Sequence, residues 1–316
     1  MAFLLSTMLL ITLCACGNNA KKVSESDASE SDISESEVIV TEIHDEGTAA
    51  DLRDPEWYQK MDGSTACIPL ANLIVRRMTG CDEEIAAINL KFNTTNYAIS
   101  ILDGTNKYVY GNTDKDIALV YESADLLENQ AIEYYPIGSD GLVFLVNANN
   151  PVESISVEQA RDIYSGKITN WKELGGENKP IIAYNRDAES GSGYMMEKLV
   201  MKGTSYKDFP EEFVEMEMSG LVSAIADYRN EGNAIGYSVY YYVKNMYYNP
   251  DIKLLKIDGV EPSIPTISSR EYTLTNDFYV AIRKSSSENS AARVLMNWIL
   301  SNEGNQTVID AGYAGK

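Results

Sequence analysis

Arg186 and the run Ser190-Gly191-Ser192-Gly193 are the residues of this chain best suited to hold a charged ligand. A guanidinium is a planar fork of donors that fits a tetrahedral oxyanion. Upstream, Pro180 to Tyr184 reads as a short buried strand leaving a Pro-marked turn. Downstream, Met196, Leu199 and Val200 recur at i, i+3 and i+4, so a helix opens just after the glycines. The first N–H groups of a helix have no intrahelical partner. Glycines let those amides approach an anion, serine hydroxyls add donors, and the helix dipole favours negative charge. The same residues also suit an ordinary serine N-cap beside a surface arginine. Ser64-Thr65-Ala66, after Asp62-Gly63, repeats the pattern ahead of a helix with Leu70, Leu73 and Ile74 on one face and a stop near Thr79-Gly80. There too a plain N-cap is the alternative.

The chain excludes several chemistries. Its one histidine, His44, lies in an acidic stretch, which leaves no Ser-His-Asp or Cys-His pairing and no histidine metal site for the rest. No nucleophile–base pair or metal-ligand cluster is visible, so neither an enzyme nor a cofactor is expected. A formal charge of −21 argues against nucleic acid. Part of that charge is local, because residues 21–56 carry 12 acidic against 3 basic side chains. Salt screens the field over about 8 Å, so a placed cation and local dipoles can still bind an anion.

Residues 1–16 form an apolar run too short for a membrane span, which needs roughly 20 apolar residues. They resemble a secretory signal ending in a bacterial lipobox, Leu13-Cys14-Ala15-Cys16, with Cys16 as the lipidated residue. No Lys or Arg precedes the apolar run, the one feature of such a signal that is missing. Residues 17–56 alternate Ser with Asp or Glu and hold too few apolar residues to fold, so they read as a disordered acidic tether. Cys67 and Cys81 bracket one predicted helix. At 1.5 Å per residue they stand roughly 20 Å apart, too far for a disulfide, and two buried free thiols are expected.

Strands alternate with helices from Trp57 onward, which argues for an α/β fold. Asp116–Tyr121 reads as a buried strand followed by the acidic loop Glu122-Ser123-Ala124-Asp125. Tyr135–Asn147 is apolar enough to be buried on both faces. Ser156 and Gln159 form a capping box. Ser219 opens a helix with Val222, Ile225 and Ala226, followed by Ala234–Tyr237 and a tyrosine-rich segment. Phe278–Ile282 leads into a last amphipathic helix ending near Gly304.

From Asp140 to Gly176 the chain resembles the phosphate-binding lipoproteins of bacterial phosphate ABC importers, which have the type II periplasmic-binding-protein fold. Val143-Phe144-Leu145-Val146-Asn147, Asn150-Pro151-Val152 and Ile163 to Gly176, with Gly166-Lys167-Ile168-Thr169-Asn170-Trp171, carry the likeness. The Arg186/Ser190-Gly191-Ser192 stretch, Ala234–Tyr237 and Trp298–Gly304 follow in the family's order. The resemblance implies two lobes joined by two hinge strands, Val143–Asn147 and Tyr279–Ile282. Lobe 1 is then 57–147 plus 270–316 and lobe 2 is 148–269. It also implies capture of inorganic phosphate or a similar oxyanion by an extracytoplasmic, lipid-anchored monomer that delivers to a membrane ABC permease. Carried over by residue, Ser64, Thr65 and Ala66 form the first-lobe ligand loop, Arg186, Ser190, Gly191 and Ser192 the second, and Asp140 an acidic position at the hinge entry. Where the family places small hydroxyl residues, this chain has Val120-Tyr121-Glu122, with Ser123 one or two positions late. Glu122 then either substitutes for Asp140 or points to solvent. A carboxylate in the site would prefer protonated phosphate to sulfate. The altered loop and the tyrosines keep a second reading open, a same-fold binding or sensing lipoprotein for another anion or a small organic ligand.

Overall fold

The computed structural model describes residues 49–105, 114–187, 190–215, 218–227 and 232–316, all within the unit Asp45–Lys316. The expected signal segment, Cys14, Cys16, His44 and the expected tether up to residue 48 lie outside the described residues. In chain order the elements are β1 (Met61–Gly63), α1 (Ile68–Thr79), α2 (Glu83–Asn89), α3 (Thr95–Leu102), β2 (Ile117–Tyr121) and α4 (Ala124–Leu127). Then come β3 (Ile132–Asn147), β4 (Ser154–Ile155), α5 (Val157–Tyr164), β5 (Ile182–Ala183), β6 (Asn185–Arg186) and α6 (Gly191–Met195). The chain continues through β7 (Val214–Glu215), α7 (Met218–Ala226), β8 (Ala234–Val239), β9 (Ile252–Leu254) and β10 (Lys256–Ile257). It closes with α8 (Ile264–Ser268), β11 (Thr275–Arg283), α9 (Ala291–Ile299) and α10 (Asn302–Asp310).

One mixed sheet runs in the order β1-β2-β11-β3-β8-β5, with β9 also pairing to β3. The pairs β1·β2 and β5·β8 are parallel, while β11 is antiparallel to both β2 and β3. β3 organises the sheet. Its 16 residues extend roughly 50 Å at 3.3 Å per residue. Ile132 to Gly141 face β11, and Leu142 to Asn147 face β8 and β9, so the strand changes partners at Gly141/Leu142. Tyr279–Ile282 pair with both β2 and the first part of β3. Apolar side chains cover the sheet, as α3 packs on β2, α7 on β3 and β8, and α9 on β11. Leu142 to Val146 are buried on both faces, as their unbroken apolar run requires.

Local signals explain the helix ends. α1 stops where Gly80 takes φ 74°, and Ser156 with Gln159 makes the reciprocal cap of α5. Two expectations change. The stretch after Glu122 is a one-turn helix capped by Ser123, whose hydroxyl accepts from the Leu126 amide at 3.2 Å. The final amphipathic stretch is two helices, because Ser301 starts a new cap and Gly304 sits inside α10. Cys67 and Cys81 are free thiols, Cys67 buried and Cys81 half-buried rather than fully so. Among the described residues no helix is long and apolar enough to cross a membrane.

Candidate anion-binding cleft

The first wall of the site forms where β1 ends. Ser64 donates its amide to the Leu119 carbonyl at 2.9 Å, which extends the β1·β2 pairing into the loop. That approach demands Gly63, whose φ is 149° and whose Cβ, if added, would lie 2.0 Å from the Leu119 oxygen. A single 3-10 turn, Thr65–Cys67, then leads into α1.

Asp62 brings a second loop alongside. Its fully buried carboxylate accepts from the Gly63 amide at 2.7 Å, and from the Asn93 amide and side-chain NH2 at 2.9 and 2.8 Å. Burial pushes its pKa up against the pull of those donors. Asn93-Thr94-Thr95 is thereby held beside Ser64-Thr65. Thr94 caps α3 by accepting from the Tyr97 amide at 3.3 Å, and the Thr95 hydroxyl accepts from the Tyr121 amide at 3.4 Å.

The second wall comes from β6 and α6. Arg186 is 5% exposed, and its amide donates to the Tyr237 hydroxyl at 3.1 Å, which in turn donates to Asn185 Oδ1 at 2.6 Å. Ser190 caps α6: its hydroxyl donates to the Asp187 carbonyl at 2.6 Å and accepts from the Gly193 amide at 3.0 Å. Gly193 is obligatory, since a Cβ there would meet the Asp187 carbonyl oxygen at 2.3 Å. A π-helical turn, Met196–Met201, carries the chain on.

Between the walls lies a cavity of about 510 Å³. Ser64, Thr65, Asn93, Thr94 and Thr95 line it together with Arg186, Ser190, Gly191 and Ser219. Tyr242 and Met246, from a π-helical turn Tyr242–Met246, complete the lining. Among the described residues the lining therefore gathers hydroxyls, amide groups and the Arg186 guanidinium.

Five of the residues singled out from sequence meet here: Ser64, Thr65, Arg186, Ser190 and Gly191. The other described candidates lie outside the lining. Ala66 is fully buried, and its carbonyl accepts from the Tyr313 hydroxyl. Ser192 is fully buried, its hydroxyl 3.5 Å from that of Ser190. Ser123 is spent on the α4 cap. Asp140 is buried, and its oxygens accept from the Tyr121 hydroxyl at 2.6 Å and from the Gly141 and Tyr241 amides at 2.8 and 3.1 Å. Burial lifts its pKa to about 6, although these donors pull it down. Glu122 neither lines the cavity nor points to solvent: it pairs with the Lys198 ammonium and accepts from the Tyr279 hydroxyl at 3.0 Å. Lys198 also donates to Asn276 Oδ1 at 3.0 Å.

Six lining residues were absent from the sequence-based set: Asn93, Thr94, Thr95, Ser219, Tyr242 and Met246. A signal existed for one group. Asn93-Thr94-Thr95 precedes the apolar Tyr97-Ala98-Ile99, the same hydroxyl-then-helix pattern that marked Ser64-Thr65. Tyr242 was legible only as a member of a tyrosine-rich segment.

The sequence profile of the PBP superfamily domain matches residues 109–303. The chain is 26% identical over 279 residues to a phosphate-binding protein PstS of Staphylococcus epidermidis, covering 85% of this chain and 82% of the relative. It is 29% identical over 164 residues to a phosphate-binding protein PstS of Bacillus subtilis, a match spanning 52% of this chain and half of that relative. A crystal structure of a candidate phosphate ABC transporter substrate-binding protein from Clostridium perfringens, with phosphate bound, superposes with a TM-score of 0.61. The identity is 22%, with 81% of this chain and 98% of that one covered.

Proposed function

The chain belongs to the PBP (periplasmic-binding-protein) superfamily, and from that premise we propose that it captures inorganic phosphate in the Ser64–Arg186 cleft and delivers it to an ABC importer in the membrane. The observation that carries the reading is the cavity itself, which the turn after β1 and the Arg186/Ser190-Gly191 segment both line. The names of the relatives support phosphate as the ligand.

The chemistry is adequate for tight binding. Micromolar affinity needs about −8 kcal/mol. Arg186 and a few amides and hydroxyls, at about 1.5–3 kcal/mol for each charge-assisted hydrogen bond, can supply it. Binding proceeds by closure of two lobes, 57–147 with 270–316 against 148–269, so that donors from both sides reach one ion. The change of partners at Gly141/Leu142 in β3 supports a crossing strand between them. Lipidation at Cys16, followed by the acidic tether, keeps the monomeric receptor on the outer face of the cytoplasmic membrane.

Titration calorimetry tests the assignment. The chain is expected to bind inorganic phosphate at micromolar concentration, and Arg186→Ala, shown to be folded by circular dichroism, to lose at least 100-fold. Absence of phosphate binding by the unaltered chain would overturn the reading.

A further inference from the structure

Two sets of bonds join the halves of the molecule without using any residue that lines the cavity. In the first, the buried Glu122 carboxylate, just past β2, pairs with the Lys198 ammonium from the π-helical turn after α6. The same ammonium donates to Asn276 Oδ1 in β11 at 3.0 Å, and Glu122 accepts from the Tyr279 hydroxyl at 3.0 Å. In the second, just past β8, the Tyr241 amide donates to Asp140 Oδ1 at 3.1 Å and its hydroxyl to the Ala311 carbonyl at 2.8 Å. The Tyr241 ring also stacks on that of Tyr313, with centroids 3.5 Å apart and planes at 6°. In the two-lobe reading given above, Lys198 and Tyr241 belong to lobe 2 and all of these partners to lobe 1. Such bonds are made between protein groups alone, so they favour a closed form whether or not an anion sits between the lobes.

We propose that Glu122 and Lys198 form a latch between the lobes that keeps the receptor mostly closed at rest, so that an anion enters when the latch opens. This rests on the two-lobe, phosphate-capturing reading and adds to it the residues that gate entry. The acid that stands where the family places a small hydroxyl residue thereby gates the cleft instead of lining it. The consequence is specific. When the resting form is mostly closed, removing the latch destabilises the empty and the filled closed forms alike, so both rates rise and the dissociation constant stays where it was. When closure only follows the ion, the same change weakens binding and leaves association unaltered.

The test is stopped flow and titration calorimetry with inorganic phosphate on the whole chain, on Lys198→Met and on Glu122→Gln, each variant shown to be folded by its thermal melt. In either variant association and release are both expected to be about fivefold faster, the equivalent of roughly 1 kcal/mol for a half-exposed pair, with the dissociation constant unchanged within about twofold. Faster release with about fivefold weaker binding and unaltered association would overturn the resting latch. Unchanged rates in both variants would overturn any gating by this pair. The double variant is expected to match either single one, and additive effects would overturn the pairing. A further readout needs no phosphate. Hydrogen exchange of the Tyr241 amide in the ligand-free chain is expected to quicken about fivefold in Lys198→Met, because its bond to Asp140 breaks on opening. Should the unaltered chain bind no phosphate, the phosphate reading falls, and this exchange rate alone decides the latch: an unchanged rate overturns it.

Discussion

At the scale of single residues, Tyr121 explains much of what distinguishes this site. Its hydroxyl donates to Asp140, so a bulky side chain in a position expected to hold a small hydroxyl engages the carboxylate expected at the hinge entry. Discrimination between phosphate and sulfate by Asp140 is expected to be weak, because its oxygens already accept from Tyr121 and two backbone amides. The two anions are expected to differ in affinity by less than about tenfold, or 1.4 kcal/mol. Competition calorimetry showing a hundredfold preference for phosphate would contradict this. Asp140 also sets a pH dependence. Its folded pKa of about 6 lies above the usual carboxylate value, so its contribution to stability is complete below about pH 4 and is lost as pH rises through 6. The difference amounts to about 3 kcal/mol. Urea titrations between pH 4 and 7 are expected to show Asp140→Asn with a flatter decline than the unaltered chain; parallel curves would contradict this. The sequence showed Asp140 and Tyr121 as an acid and an aromatic, but not their contact, since 19 residues and the intervening strand β11 separate them.

At the scale of elements, the site depends on two ties. Asp62 binds the loop before α3 to the end of β1, and Gly63 lets β1 lie against Leu119. Gly63→Ala places a Cβ against a carbonyl oxygen in a left-handed conformation. It is expected to cost about 2 kcal/mol or more and to weaken phosphate binding, as thermal melts and calorimetry would read. The second tie is Lys198, which joins the helical segment after Ser190-Gly191 to Glu122 after β2 and to Asn276 in β11. Half-exposed ion pairs of this kind contribute about 1 kcal/mol. Lys198→Met is accordingly expected to speed phosphate release roughly fivefold in stopped flow, and an unchanged rate would mean that the tie does not hold the bound form. The strands carrying these loops were legible, because Ile117–Tyr121 and Leu142–Val146 are unbroken apolar runs. The caps were legible from Ser156, Gly80 and Ser190. What could not be read was which loop meets which: Glu122 and Lys198 are 76 residues apart, and nothing local to either names the other. The break between α9 and α10 was hidden because Gly304 reads as a helix stop, whereas Ser301 caps a new helix in which that glycine sits.

At the scale of the whole molecule, the α/β class and the family followed from the order of strands, helices and the Gly166–Trp171 segment. The mixed direction of the sheet did not, since β11 inserts between β2 and β3 from the far end of the chain. The chain carries a net charge of −21, while the described lining of the cleft offers the Arg186 guanidinium and hydroxyls, so capture depends on local donors rather than on long-range attraction. Raising ionic strength is therefore expected to speed association slightly, as repulsion between a dianion and an acidic surface is screened. Slower association in salt would indicate an attractive field. The central claim is that donors from both sides of the cleft share one ion, and a crystal structure grown with inorganic phosphate tests it most directly. The expected result is a tetrahedral anion bonded at once to Ser64 or Thr65 and to Arg186. An anion bonded to one wall alone, or lodged elsewhere on the chain, would contradict it.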